Sequence, residues 1–315
     1  MVRLFLLNPS NHHGARRAVL LSFGLALLGA GARALTLEAY LTNTTYIDSR
    51  TANQTLNYGH AHTVKVVINS ATTSDGSICR GLLRLPQETW TYPPEQLLSA
   101  TVRFYVWQDN TSTRNITLFP LLKTFVPGTG SATSPADGAT WFTSDGANAW
   151  TSPGGDLDTN YPVVAVKEDV LDPNINDRFF TWDITALLKS PASRSELRDH
   201  GALLRIDETP PPASGMPRAP FTSCYDPGYS SFYWPALRLR IAPLLLGATV
   251  SNGFISFGLT NLTAGATNVI ERSPSLAPGT WSEVSSFIAG GIATNWSEPL
   301  PTNSTKAFYR LRSLE

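Results

Sequence analysis

The stretch "ATVRFYVW" (residues 100–107) decides the fold. Side chains on a β-strand alternate between two faces, so Val102, Phe104 and Val106 are expected to face a core, and Arg103, Tyr105 and Trp107 the opposite side. Similar short runs surround it: "HTVKVVI" (62–68), "ICRGLLRL" (78–85), "NITLFPLL" (115–122), "GALLRIDE" (201–208) and "ALRLRIA" (236–242), with Gly, Pro, Asn and Ser between them. Helical periodicity is nearly absent. This pattern predicts an all-β, antiparallel sandwich. A single short helix is expected at "DITALLKS" (183–190), with Asp183 placed to cap it, Leu187 and Leu188 to pack, and Pro191 to end it.

The 315 residues are enough for two ordinary domains, and 42% hydrophobic content supplies their cores. Twenty-four basic and twenty-four acidic residues cancel, and only 15% of the chain is charged. No broad electrostatic footprint for nucleic acid follows from that balance.

Near the start, Arg16 and Arg17 precede the apolar run "AVLLSFGLALLGAGA" and then Ala32-Arg33-Ala34, a small-x-small cleavage pattern. Residues 1–34 are therefore expected to be a secretory signal. The run is shorter than the roughly 20 residues of a spanning helix, so no membrane insertion is expected after cleavage. The location implied is secreted or cell-surface.

A first domain is expected over residues 35–242, a linker over 243–249 beginning at Pro243, and a small second β-sandwich over 250–315. The last is carried by "FISFGLTNL", "TNVIERS", "TWSEVSSF" and "KAFYRLRSL". The Pro-rich "ETPPPASGMPRAP" (208–220) lies between strand-like runs and is expected to be a loop within the first domain. The two cysteines, Cys79 and Cys224, either pair in an oxidising compartment or stand as two separate buried thiols.

His60 and His62 share a strand face, but no third ligand completes a zinc site. There is no G-x-S-x-G, no HExxH and no phosphate-cradling glycine loop, so a non-catalytic protein is expected. The loop "GATWFTSDGANAWTSPGGDLD" (138–158) is richer. Asp156 and Asp158, alternate residues on a bent segment, are the candidates for calcium; the same residues also suit a hydrogen-bonded turn. Seven N-x-S/T sequences, beginning at Asn43 and Asn53, are read as the Asn and Thr abundance of β-turns and edges.

Seven segments in order, "TTYIDSRTANQTLNYG", "CRGLLRL", "LLSATVRFYVW", "ATWFTSDGANAWTSPGGDLD", "FTWDITALL", "GALLRI" and "FTSCYDPGYSSFYWPALRLRI", resemble the DNRLRE domain over about residues 36–242. This is a family of secreted bacterial and archaeal modules, some classed as carbohydrate-binding modules. The resemblance implies a jelly-roll-like β-sandwich and a structural role for the 44–59 strand and loop. Thr44 stands where the family usually has Asp. The tail "KAFYRLRSLE" is similar to C-terminal β-modules on exported planctomycete and verrucomicrobial proteins.

The expected function is a secreted non-catalytic binding module with polysaccharide as ligand; the alternative is a structural or adhesive spacer of the cell surface. Sugars pack their C–H faces on aromatic rings while their hydroxyls seek polar groups. Two platforms are therefore expected: Trp141 and Trp150 with Asp145 and Asn148 on the polar loop, or Tyr105 and Trp107 on their strand.

Overall fold

The computed structural model describes residues 2–5, 21–23, 34–69, 77–111, 113–134, 137–209, 212, 216–275, 277, 279–300 and 306–313. The chain divides into two compact units, one of Leu37–Leu239 and one of Met1–Thr36 with Arg240–Glu315. Both are antiparallel β, as the alternation predicts.

In the larger unit the strand Leu97–Val106 is central. It pairs with Arg178–Asp183 along its length and touches Arg218–Thr222 at Val106. From there the ladder continues through Thr63–Ile68, Ile78–Leu83, Ala202–Ile206 and Ile116–Pro120. Val102, Phe104 and Val106 are fully buried, and so is Trp182. Phe104, Phe180, Trp182 and Phe221 form one aromatic core, with Phe104 5.3 Å from Phe221 and Trp182 6.0 Å from both Phe104 and Phe221. The Trp182 indole N–H donates to Ile116 O at 3.1 Å, so its one polar group is satisfied inside.

The opposite face of Leu97–Val106 is not open to solvent. Arg103 and Tyr105 are buried with the core set, beneath the loop that leads into Ala236–Ile241. Alternation distinguishes two faces but does not say what covers each one.

The helix at 185–189 forms, with the Asp183 carboxylate accepting the Thr185 N–H at 2.9 Å. Pro191 does not end the helical region. It opens a second helix, Pro191–Asp199, because proline at the first helical position sacrifices no hydrogen bond.

Among the described residues the smaller unit has a three-stranded and a five-stranded sheet. The first orders Leu244–Ser251, Phe254–Thr260 and Ala293–Pro299; the second orders Ser282–Ile288, Thr267–Ser273, Lys306–Ser313, Val2–Phe5 and Leu21–Phe23. Ile255, Phe257, Leu259, Ile270, Tyr309 and Leu311 fill its core. The expected linker at 243–249 is corrected here: Leu244–Ser251 is a strand, registered on Phe254–Thr260 through the Asn252–Gly253 turn, where both residues have positive φ. An apolar "LLLGATV" run has β-propensity that a proline before it does not cancel.

Most of the expected signal segment lies outside the described residues. Within it, Val2–Phe5 and Leu21–Phe23 are strands, and Val2–Phe5 pairs with Lys306–Ser313. Among the described residues no helix is long and apolar enough to cross a membrane.

Candidate functional site

The polar loop 138–158 is built from local hydrogen bonds. The Asp145 carboxylate accepts the N–H groups of Ala147 and Asn148 at 2.9 and 2.7 Å and the Asn148 side-chain amide at 2.7 Å. These bonds, the Asn148 amide first, hold the Asp145 carboxyl below the usual range. Asp156 accepts Thr151 N–H on one oxygen and Ser152 N–H on the other, at 2.8 and 3.0 Å. Asp158 accepts the backbone and side-chain N–H groups of Asn160, both at 2.8 Å. The two carboxylates thus cap separate turns. Among the described residues no group of three or more His, Cys, Asp or Glu is gathered that could hold a metal ion.

Trp150 is only 4% exposed, packs with Ile47, Leu82, Phe125 and Leu203, and donates its indole N–H to Thr140 O at 3.0 Å. The expected Trp141–Trp150 platform is corrected accordingly, since Trp150 has no free face. Trp141 is half-buried with the Arg80 guanidinium 5.1 Å from its ring centre, and Arg80 is held by Glu208 at 2.7 Å and by Gly154 O at 2.7 Å.

The strand pair separates in the same way. Trp107 is 39% exposed, but Tyr105 is 3% exposed and donates its hydroxyl to Asp177 at 2.7 Å. Burial, then this hydrogen bond, raises the Tyr105 phenol well above its ordinary value. The sequence signal for this outcome lies in "YDPGYSSFYW" (225–234), whose rings Tyr229 and Tyr233 come within 5.7 and 4.4 Å of Tyr105.

Cys79 is buried and Cys224 half-buried, and the two stand apart as free thiols. Cys79 sits in the ladder opposite Asp48 and Val67, while the Cys224 thiol faces Thr42 O at 3.7 Å. His60 and His62 are exposed, and the His60 ring lies 4.3 Å from Tyr225.

A further concavity of the larger unit lies away from these residues. It is a cleft of about 700 Å³ whose lining includes Glu38, Tyr40, Asn43, Arg84, Glu88 and Trp90. Glu38 and Tyr40 alternate on the strand Leu35–Tyr40, which places both on one face. Trp90 ends a 3₁₀ turn, Gln87–Trp90, that follows Pro86.

Arg84, Glu38 and the Trp90 ring are held from behind. The Arg84 guanidinium donates to Phe125 O at 3.0 and 3.2 Å, and Arg84 N–H donates to Asn43 O at 3.0 Å. Glu38 accepts from Arg238 at 2.6 Å and lies 3.6 Å from Arg103. Arg194 from the helix Pro191–Asp199 lies over the Trp90 ring. Burial lowers the pKa of both Arg84 and Arg194 from the ordinary guanidinium value.

Two aromatic rings, a side-chain amide and charged groups, of which Glu38 and Arg84 have partners, line this cleft. That combination suits a ligand with apolar faces and many hydroxyls. Apart from Asn43, noted only as the start of an N-x-S/T sequence, none of these residues was singled out from the sequence, because they come from two distant segments, one ending at Asn43 and one starting at Arg84, whose meeting depends on the sheet. No protein-family model and no curated protein matches this chain.

Proposed function

We propose that this protein is a non-catalytic glycan-binding module of the DNRLRE kind, secreted or displayed at the cell surface, that takes a polysaccharide in the cleft of Tyr40 and Trp90. The observation that carries this reading is the cleft lining, in which amphipathic rings stand beside fixed hydrogen-bonding groups. The sequence resemblance over residues 36–242 supports the same class, and the near-zero net charge disfavours nucleic acid as partner.

The test is affinity electrophoresis of the whole protein against plant, algal and microbial polysaccharides, with Trp90→Ala alongside. Retarded migration of the wild type that is lost in a folded Trp90→Ala variant supports the reading. Binding that survives in that variant moves the site away from the cleft. A flat result for the wild type across all polymers overturns glycan binding and favours the spacer reading.

A further inference from the structure

Trp90 is held differently from the buried tryptophans of the same unit. Trp150 and Trp182 donate their indole N–H groups to Thr140 O and Ile116 O, which fixes each ring inside. Trp90 is half-buried on the cleft wall, and among the described residues its indole N–H meets no such acceptor. The 3₁₀ turn that carries it is closed by backbone bonds, Thr89 N–H to Pro86 O at 3.1 Å and Thr91 N–H to Glu88 O at 3.2 Å. Such bonds set where the Cβ points, but they leave the side-chain torsions free to choose among their wells.

What lies over the ring is Arg194, its guanidinium 5.4 Å from the ring centre. The same guanidinium donates to Tyr92 O at 2.9 Å, two residues beyond Trp90, and to Leu188 O at 3.2 Å in the helix Thr185–Lys189. It therefore grips the ring and the backbone of one segment together. Its own helix, Pro191–Asp199, is seated by the buried Ser193 and Leu197, so the arginine reaches out from a fixed base. Arg198, one turn further along, lines the cleft, whereas Arg194 meets the ring from outside that lining.

A ring that turns freely loses that freedom when a ligand packs on it, and the loss is subtracted from affinity. A ring already ordered does not incur it. A cation over an aromatic face is attracted by the ring quadrupole, which favours one placement of the ring over the others.

We infer that Arg194 is a positioning residue of the cleft: without touching the ligand, it holds the Trp90 indole in the plane on which the ligand packs. This inference rests on the glycan-binding reading above.

The experiment has two arms, both on the whole protein. In the first, without ligand, the near-ultraviolet circular dichroism of wild type and of Trp90→Phe isolates the signal of the Trp90 ring. Most of that signal should vanish in Arg194→Ala, and adding Trp90→Phe to Arg194→Ala should then change little. In the second, affinity electrophoresis against soluble mixed-linkage glucan, xylan, galactomannan and alginate gives dissociation constants at a temperature where thermal melts show each variant folded. For a polymer that retards the wild type, Arg194→Ala should bind roughly three- to tenfold more weakly, the cost of ordering one side chain on binding. Arg194→Lys should fall between the two, since lysine keeps the charge but not the planar fork. Should Arg194→Ala fail to fold, Arg194→Gln, which keeps a donor for the carbonyls without a charge over the ring, takes its place in both arms. A Trp90 signal that survives loss of Arg194, or an affinity unchanged once that signal is lost, overturns the positioning role and leaves glycan binding in the cleft standing. No retardation of the wild type by any of the four polymers overturns the glycan reading and this inference with it.

Discussion

The guanidinium of Arg194 stands 5.4 Å from the centre of the Trp90 ring, anchored by the carbonyls of Leu188 at 3.2 Å and Tyr92 at 2.9 Å. One residue of the helix Pro191–Asp199 thus fixes both a helix end and the aromatic wall of the cleft. Arg194→Ala is expected to cost about 1–3 kcal/mol, from two charge-assisted hydrogen bonds to carbonyls left unpaired. Its melting temperature checks that figure. Arg194→Lys should recover part of the stability, since lysine supplies a charge but not the planar fork. Equal melting temperatures for wild type and Arg194→Ala would show that the anchor contributes nothing.

Asp48 sits at the end of the Thr44–Asp48 strand, fully buried, and accepts the Arg50 guanidinium at 2.7 and 3.0 Å, the Arg50 N–H at 2.9 Å and the Asn53 amide at 2.8 Å. Burial alone would raise its pKa, but the hydrogen bonds from the Arg50 side chain and backbone and from Asn53 outweigh it, and the carboxyl is held below its ordinary value. A depressed folded-state pKa contributes stability that is complete above the unfolded value and is lost as pH falls through the folded one. The wild type should therefore lose melting temperature from about pH 4 downward. Asp48→Asn should be less stable at pH 7 by about 1–3 kcal/mol, with a flatter acid limb. Parallel pH profiles for the two proteins would remove Asp48 from the acid response.

Glu196 carries the opposite sign. Burial, then the neighbouring Asp158 carboxylate, raises its pKa, and its Oε2 is buried without a hydrogen-bond partner. A raised folded-state pKa gives a contribution that is fully present below the unfolded value, roughly 4.3, and is lost as pH rises through the folded one. Glu196→Gln removes the charge and offers Asp158 an amide donor. The variant should melt above the wild type at pH 7 and converge with it near pH 4. Differential scanning calorimetry across that range is the measurement, and a variant less stable at every pH contradicts the argument.

These cases also show what could be read from the chain. The core of the larger unit was legible because Val102, Phe104, Val106 and Trp182 sit in strands whose period of two marks one face. Tyr105 and Trp150 were misplaced because period and loop composition carry no information about what packs over a residue: Tyr105 is covered by residues 229–233, and Trp150 turns inward to meet Thr140 O. The cleft was illegible for a related reason. Tyr40, Arg84 and Trp90 become neighbours only once the sheet has set its register, and short turns such as Gln87–Trp90 leave little periodic trace. "YDPGYSSFYW" did carry a local signal, five aromatics in ten residues around a Pro-Gly turn, which composition alone could have flagged.

The two thiols give the last prediction. Burial, with the Asp48 charge adding to it, raises the Cys79 thiol far above its ordinary value, and burial also raises that of Cys224. The thiolate is the reactive form, so both groups should be sluggish at neutral pH. They differ in access: Cys79 lies inside the ladder between Thr44–Asp48 and Thr63–Ile68, while Cys224 is half-buried at the start of the aromatic loop. Titration of the native protein with an aromatic disulfide reagent should release one equivalent slowly, faster as pH rises from 7 to 9, and Cys224→Ser should abolish it. Denaturation should release the second equivalent from Cys79. If denatured, unreduced protein yields no free thiol at all, the two cysteines are bonded and the free-thiol arrangement is wrong; rapid modification of Cys79 in the native state would instead show that the sheet opens at that position.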